Sequence, residues 1–398
     1  MSLKHDLKNN MKQVRKRLTE EEAEIVDLFR AGLIEPDSEV QEFSEGLQAK
    51  IQKGQDRFRI ERKAFRDVSR LTNALEEYNH ELISVLKEKG KSLVTKQHTP
   101  LEGDPILVLQ LSDLHLNELV NIKSNKYDFY VASQRLKMLA DETISLGKHY
   151  KSKKLVVTVL GDLLNSDRRL DELLSMATNR AKATQLGIIL LSQFLLHLNK
   201  SFSITLAGVT GNESRAKQEL GFSELLATDN YDTTIYDNLR LLLKDKPGFK
   251  FDMIQPNEAI VEIHGKNFLL LHGHQLGSGG GDVQKKVQQV IGRFNALGIQ
   301  IHYVLAGHIH SAYVSDYFAR NSSLVGSNAY SEEALNYVST ASQNLHIVKA
   351  NGAINSMKID LQDAYDYSMY PMEEHIDAYN AKSSDKLRPE HTIVKIVV

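Results

Sequence analysis

Cysteine is absent from all 398 residues. That excludes disulfides, thiolate metal sites and cysteine nucleophiles together, and leaves oxygen and imidazole as the strong metal ligands. A long apolar run is missing as well. No stretch approaches the roughly 20 apolar residues of a membrane span, and the polar opening MSLKHDLKNN has no signal-peptide core. The expectation is a cytoplasmic protein without membrane contact. Charge of one sign is also lacking: the formal net charge is −2, so no whole-chain field draws the protein to nucleic acid, and a polyanion site must be local. The remaining composition, 41% hydrophobic and 25% charged, is that of a globular chain long enough for one large domain with a second element.

Residues 1–100 read as a helical region. Thr19 with Glu22 forms a capping-box pattern ahead of Ile25, Val26, Leu28 and Phe29. Phe65, Val68, Leu71, Leu75, Tyr78, Leu82 and Leu86 recur at steps of three and four, one stripe of a long helix. Charge alternates in blocks, basic from Lys4 to Arg17, acidic from Glu20 to Glu45 and basic from Lys50 to Arg70. These blocks suit solvated helix faces, or an arm that faces nucleic acid or joins copies of the chain.

Past His98 and Pro100 the period changes to short apolar runs bounded by Gly, Asp and Asn. The runs Ile106 to Leu111, Leu155 to Leu160, Ser203 to Val209, Ala259 to Leu271 and Ile301 to Ala306 read as buried strands. Helical stretches Tyr130 to Tyr150 and Leu170 to Asn199 separate them, which makes an α/β (α+β) domain over 104–350. Asn351-Gly352 marks a hairpin opening a β-rich closing segment over 351–398, where His391 to Val398 adds a candidate strand.

Polar residues collect directly after five of those runs: Asp113 and His115, then Asp162 and Asn165, then Asn212 and Glu213, then His272 and His274, then His308 and His310. Loops at the carboxyl ends of strands in an open sheet bring such groups to one place. Two divalent cations need several oxygen and nitrogen donors and a shared carboxylate. The donor types here meet that need, and manganese, iron, zinc or nickel all suit them.

In this order the motifs resemble those of the calcineurin-like metallophosphoesterase superfamily, D-x-H, G-D-x-x-N, G-N-H, H and G-H-x-H. The resemblance implies a β-sandwich flanked by helices, with residues 1–100 as an N-terminal helical extension. It further implies Asp113, His115 and His310 on one metal, Asn212, His272 and His308 on the other, and Asp162 bridging. His272 is preferred to His274 as ligand, since it directly follows the strand; the two are exchangeable on sequence. His274 then stands behind the ligands or contacts phosphate.

One position departs from the pattern. Glu213 stands where the family has a histidine that protonates the leaving group or contacts the phosphate. It serves as a general acid only if its surroundings raise its pKa; otherwise Arg215, Asn165 or His274 takes over the phosphate contact. Glycines 277 and 279–281 form a lid or a plain surface loop, and 321–330 is a candidate pocket lining. The expected activity is phosphodiester hydrolysis, with DNA as substrate on a resemblance to SbcD-type nucleases. The alternatives are a nucleotide or cyclic-dinucleotide phosphodiesterase, with the helical region joining copies or holding a partner, and a non-catalytic metal-binding scaffold.

Overall fold

Where apolar residues run without interruption, both faces of a strand are covered, and the fold shows what covers them. A computed structural model describes residues 103–216, 229–252, 254–276, 283–334 and 336–372, with isolated positions 31, 52, 56 and 375. The chain divides into two units, Met1–Glu77 and Tyr78–Val398. In the first, the Gln52 amide donates to the Asp56 carboxylate one turn away at 3.3 Å. The helical reading of 1–100, the boundary near residue 100, the glycine run 277–281 and the strand at 391–398 otherwise lie outside the described residues.

In the second unit, one sheet of six strands has the order β13-β12-β1-β4-β5-β6. Its parallel members are β1 (Ile106–Leu111), β4 (Lys154–Val159), β5 (Ser203–Gly208) and β6 (Phe249–Phe251). Antiparallel β12 (Ser342–Val348) and β13 (Ile354–Asp360) complete it, joined by the hairpin that Asn351-Gly352 announces. The second sheet, of five strands, runs β10-β11-β9-β8-β7. Here β8 (Lys266–Leu271), β9 (Tyr303–Ala306) and β11 (Phe318–Arg320) are parallel, with β7 (Glu258–Ile263) and β10 (Tyr313–Val314) antiparallel at the edges. A two-stranded ladder, β2 (Val120–Asn121) with β3 (Lys126–Tyr127), lies outside both.

The two-residue period of a strand divides each run between two cores. Leu107, Leu109 and Leu111 of β1 meet the helices α1 (Phe129–His149), α3 (Arg180–Asn199) and α4 (Tyr231–Leu243). Val108 points the other way, into the inter-sheet core with Phe268, Leu270, Tyr303 and Leu305. The outer face of the second sheet, Leu269, Leu271, Val304 and Phe318, is covered by Val287 and Phe294 of α5 (Val283–Ala296). The result is a β-sandwich with helices on both outer faces.

Two sequence expectations change. The single helix read over Leu170 to Asn199 is two, α2 (Leu170–Leu174) and α3. Between them the backbone turns aside to pair with the first ligand loop, Leu119 N–H to the Ser175 carbonyl and Ala177 N–H to the Asn117 carbonyl, both at 2.7 Å. The Asn179 side chain then accepts from Lys182 N–H at 3.0 Å and restarts the helix as its N-cap. Secondly, α3 is long and apolar enough by length and composition to cross a membrane, which the sequence reading missed because polar residues punctuate the run. Of that stretch 67% is buried inside the fold, between α1 and α4 and against β5.

Candidate metal centre

All seven candidate ligands follow the carboxyl end of a strand: Asp113 and His115 after β1, Asp162 after β4, Asn212 after β5, His272 after β8, His308 and His310 after β9. The loops are stitched to one another through their backbones. Asp113 N–H donates to the Gly161 carbonyl at 3.0 Å and His115 N–H to that of Asp162 at 3.1 Å, so the β1–β4 ladder continues into the site. Gly307 N–H donates to the His272 carbonyl at 2.7 Å and does the same for β9 and β8.

Five of these side chains leave backbones in the left-handed region: φ is 53° at Asp113, 43° at His115, 54° at Asp162, 74° at His308 and 54° at His310. That conformation is uncommon away from glycine and concentrates at functional sites. Glycines supply the room. A Cβ on Gly211 would stand 2.0 Å from Asp162 Oδ1, and one on Gly307 2.2 Å from Asp113 Oδ2.

Donor atoms form two groups. Those of Asp113, His115 and His310 lie within 4.8 Å of one another, as do those of Asp162, His272 and His308. In the first, His115 Nε2 and His310 Nε2 converge to 3.1 Å. In the second, His272 Nε2 stands 2.9 Å from both Asp162 Oδ2 and Asn212 Oδ1. His272 Nδ1–H donates to the Leu160 carbonyl at 2.7 Å, which turns Nε2 toward the aspartate. The Asp113 carboxylate accepts from His308 N–H at 3.0 Å.

Electrostatics agree with a cation site. Burial alone would raise both aspartates, yet the hydrogen bond and charge of His310 hold Asp113 below the usual carboxylate range. The charges of His272 and His115, with the His272 hydrogen bond, hold Asp162 far below it. Reciprocally, burial would lower His272, but Asp162 pushes it up to about 9, and Asp113 raises His310 against its burial. Each buried carboxylate thus faces an imidazole whose pKa its charge pushes up, the place that a dication would take. The donors fit such a pair: oxygen and imidazole only, converging, with a backbone carbonyl orienting one ring.

The remaining sequence candidates divide. His274 sits beside His272, ring centroids 5.6 Å apart, with Nδ1 buried and unpartnered. Burial and then the charge of His272 push it down to about 3. Burial likewise brings His308 to about 4. Arg215 Nη2 reaches His274 Nε2 at 3.4 Å. Asn165 is engaged in its own turn, its Oδ1 accepting from Ser166 N–H at 3.1 Å. Glu213 accepts at both carboxylate oxygens, from Asn212 Nδ2 at 2.7 Å and from Arg168 Nη2 at 3.1 Å. The segment 321–330 lies largely beneath the site instead of lining a pocket: Leu324 N–H supports the Asp113 carbonyl at 3.0 Å and Ser322 Oγ that of His310 at 2.9 Å.

Sequence reasoning missed Asp232, Arg168 and Arg180. The fully buried Asp232 carboxylate accepts from the N–H groups of Gly211 at 2.8 Å, Leu163 at 3.0 Å and Asp162 at 3.1 Å. It ties the second ligand loop to the third; burial and then the Asp162 charge raise its pKa. The asparagine just ahead of it, an N-cap residue, was the available signal for α4 but not for this contact. A groove of about 780 Å³ lies elsewhere, between β4–β6 and β7, lined by Lys154, Lys250, Glu258 and Glu262. It holds no ligand residue.

No protein-family model matches the sequence, and no curated protein matches it. Among solved structures the chain is similar to Vps29 complexed with zinc from Entamoeba histolytica, at 12% identity over 64% of this chain and 99% of that one, TM-score 0.29. It is similar also to the calcineurin-like phosphoesterase YfkN from Bacillus subtilis, at 11% identity over 69% of this chain and 95% of that one, TM-score 0.30. A 5'-nucleotidase from Candida albicans SC5314 gives 10% identity over 67% of this chain and 54% of that one, TM-score 0.30. Likeness this distant carries no argument about activity; the site's own geometry does.

Proposed function

We propose that the chain is a two-metal phosphoesterase that cleaves phosphodiester bonds, with DNA as its substrate. The observation that carries this is the meeting of two ligand groups, Asp113–His115–His310 and Asp162–His272–His308, within one set of strand-end loops. Asn212 would join the second group, and Asp162 would be the carboxylate shared between the two. When bound, two dications polarise phosphate oxygens and supply an activated water. Manganese is the first choice, with iron, zinc and nickel compatible.

The preference for DNA rests on local charge. Arg168 and Arg215 stand beside the ligands, and the Arg169 guanidinium lies 5.7 Å from the centroid of the exposed Tyr330 ring. An arginine over an exposed aromatic suits a base and its adjoining phosphates. A single nucleotide or cyclic dinucleotide can use the same pair, and is the second reading. The test is a metal-dependent screen of bis-p-nitrophenyl phosphate, linear DNA and nucleotides in parallel. Hydrolysis of nucleotides without DNA binding removes the nuclease reading. A chain that keeps manganese yet cleaves none of the three is a scaffold, and removes both.

A further inference from the structure

Glu213 replaces the histidine of the resembling motif, and its surroundings give it a different task. Its backbone N–H donates to Asp162 Oδ1 at 2.7 Å. One carboxylate oxygen accepts from Asn212 Nδ2 at 2.7 Å. A carboxylate accepts where an amide can do either, so this contact fixes which way the Asn212 amide faces. Its Oδ1 is thereby turned to His272 Nε2, 2.9 Å away.

The other carboxylate oxygen holds Arg168 at 3.1 Å. The same Nη2 donates to the Asn212 carbonyl at 3.2 Å, and Nε to Ser166 Oγ at 3.1 Å. Ser166 is in turn held by Glu172. Three acceptors therefore fix one edge of the guanidinium directly against a ligand residue, while Nη1 donates to none of the described residues. A second arginine, Arg180, anchors the Glu213 carbonyl from below at 2.9 Å and stacks 4.5 Å from the Tyr231 centroid. The two arginines differ in access: the side chain of Arg180 is 3% exposed and that of Arg168 27%. Only Arg168 can meet a ligand.

We propose that Arg168 is the cationic contact to the substrate phosphate, supplying the charge that the missing histidine does not, and that Glu213 is a positioning residue that orients both Arg168 and the Asn212 amide. This rests on the phosphoesterase reading above. A guanidinium is permanently charged and presents paired N–H groups that match two non-bridging phosphate oxygens. Its engagement by Glu213 limits the rotamer freedom that a free arginine would lose on binding.

The test uses the full chain loaded with manganese, titrated with inorganic phosphate by calorimetry, with metal content measured on every variant and KM and kcat on bis-p-nitrophenyl phosphate. Arg168→Ala weakens phosphate binding by about tenfold to a hundredfold, the range of a hydrogen-bonded charge contact, and raises KM, with metal content unchanged. Arg168→Lys restores part of the loss, since an ammonium lacks the fork. Glu213→Gln as a single change weakens phosphate binding, and added to Arg168→Ala it costs less than it does alone, the remainder passing through the Asn212 amide and read in metal content. Phosphate affinity within twofold of wild type in Arg168→Ala, or fully additive losses in the double variant, overturns the proposal while leaving the phosphoesterase reading intact. A wild-type chain that takes up no metal overturns both.

Discussion

At the scale of single residues, the centre combines backbone strain with charge. A left-handed non-glycine residue costs on the order of 1–3 kcal/mol, and five of the candidate ligands carry it. Asparagine tolerates that region as well as aspartate does, so Asp162→Asn removes charge without adding strain. The expected outcome is loss of activity together with loss of bound metal, read by elemental analysis, at little cost in thermal stability; near-normal turnover would remove Asp162 from the site. A second residue-scale prediction concerns His346, buried between the sheets. Its Nε2 lies 3.1 Å from Gln110 Oε1 and its Nδ1 2.7 Å from Ser356 Oγ, which satisfies a neutral ring, and burial pushes its pKa down to about 3. The unfolded chain binds the proton near the ordinary value of about 6.5. Stability from this group is therefore complete above about pH 6.5 and is lost as pH falls toward 3, by at most about 1.4 kcal/mol per unit. Urea titrations at stepped pH should show a shallower slope for His346→Leu; an unchanged slope assigns the acid sensitivity elsewhere.

At the scale of elements, strands and loops divide the labour. Phe194 of α3 is fully buried, and Phe194→Ala should cost about 3–5 kcal/mol, measured by urea denaturation. A cost under 1 kcal/mol would mean that α3 is not core. Asp232, at the start of α4, does different work: Asp232→Asn leaves one of three N–H groups facing an amide donor, and should cost about 1–3 kcal/mol and weaken metal uptake in direct titration. An unchanged metal affinity would show that the loops hold without it. This division explains what was legible. The five strands with polar residues just after them could be read because uninterrupted apolar runs and the residues that follow them are local patterns, and Asn351-Gly352 is a local hairpin signal. Asp232, Arg168 and Arg180 could not, because an aspartate at a helix start and two arginines look the same whether they cap, solvate or brace a site. The break between α2 and α3 was hidden for a related reason: residues 175–179 leave the helix to bond Asn117 and Leu119, partners some 60 residues away.

At the scale of the whole molecule, a net charge of −2 means that the proposed DNA binding would fall to the arginines beside the centre. If Arg168, Arg169 and Arg215 each neutralise one phosphate, affinity for a DNA strand should fall about 20- to 40-fold between 50 and 200 mM salt. A much steeper fall, measured by fluorescence anisotropy, would bring further basic segments into the interface. The stitching of the ligand loops carries one more consequence, in the order of synthesis. Each ligand group takes its last histidine from the loop after β9, His310 for one and His308 for the other, and the Asp113 carbonyl waits for Leu324. A chain made only as far as residue 300 therefore holds four acidic or imidazole candidates and an asparagine without closing either group. On the two-metal reading, a product truncated before His308 lacks a donor in both groups and should hydrolyse no phosphoester.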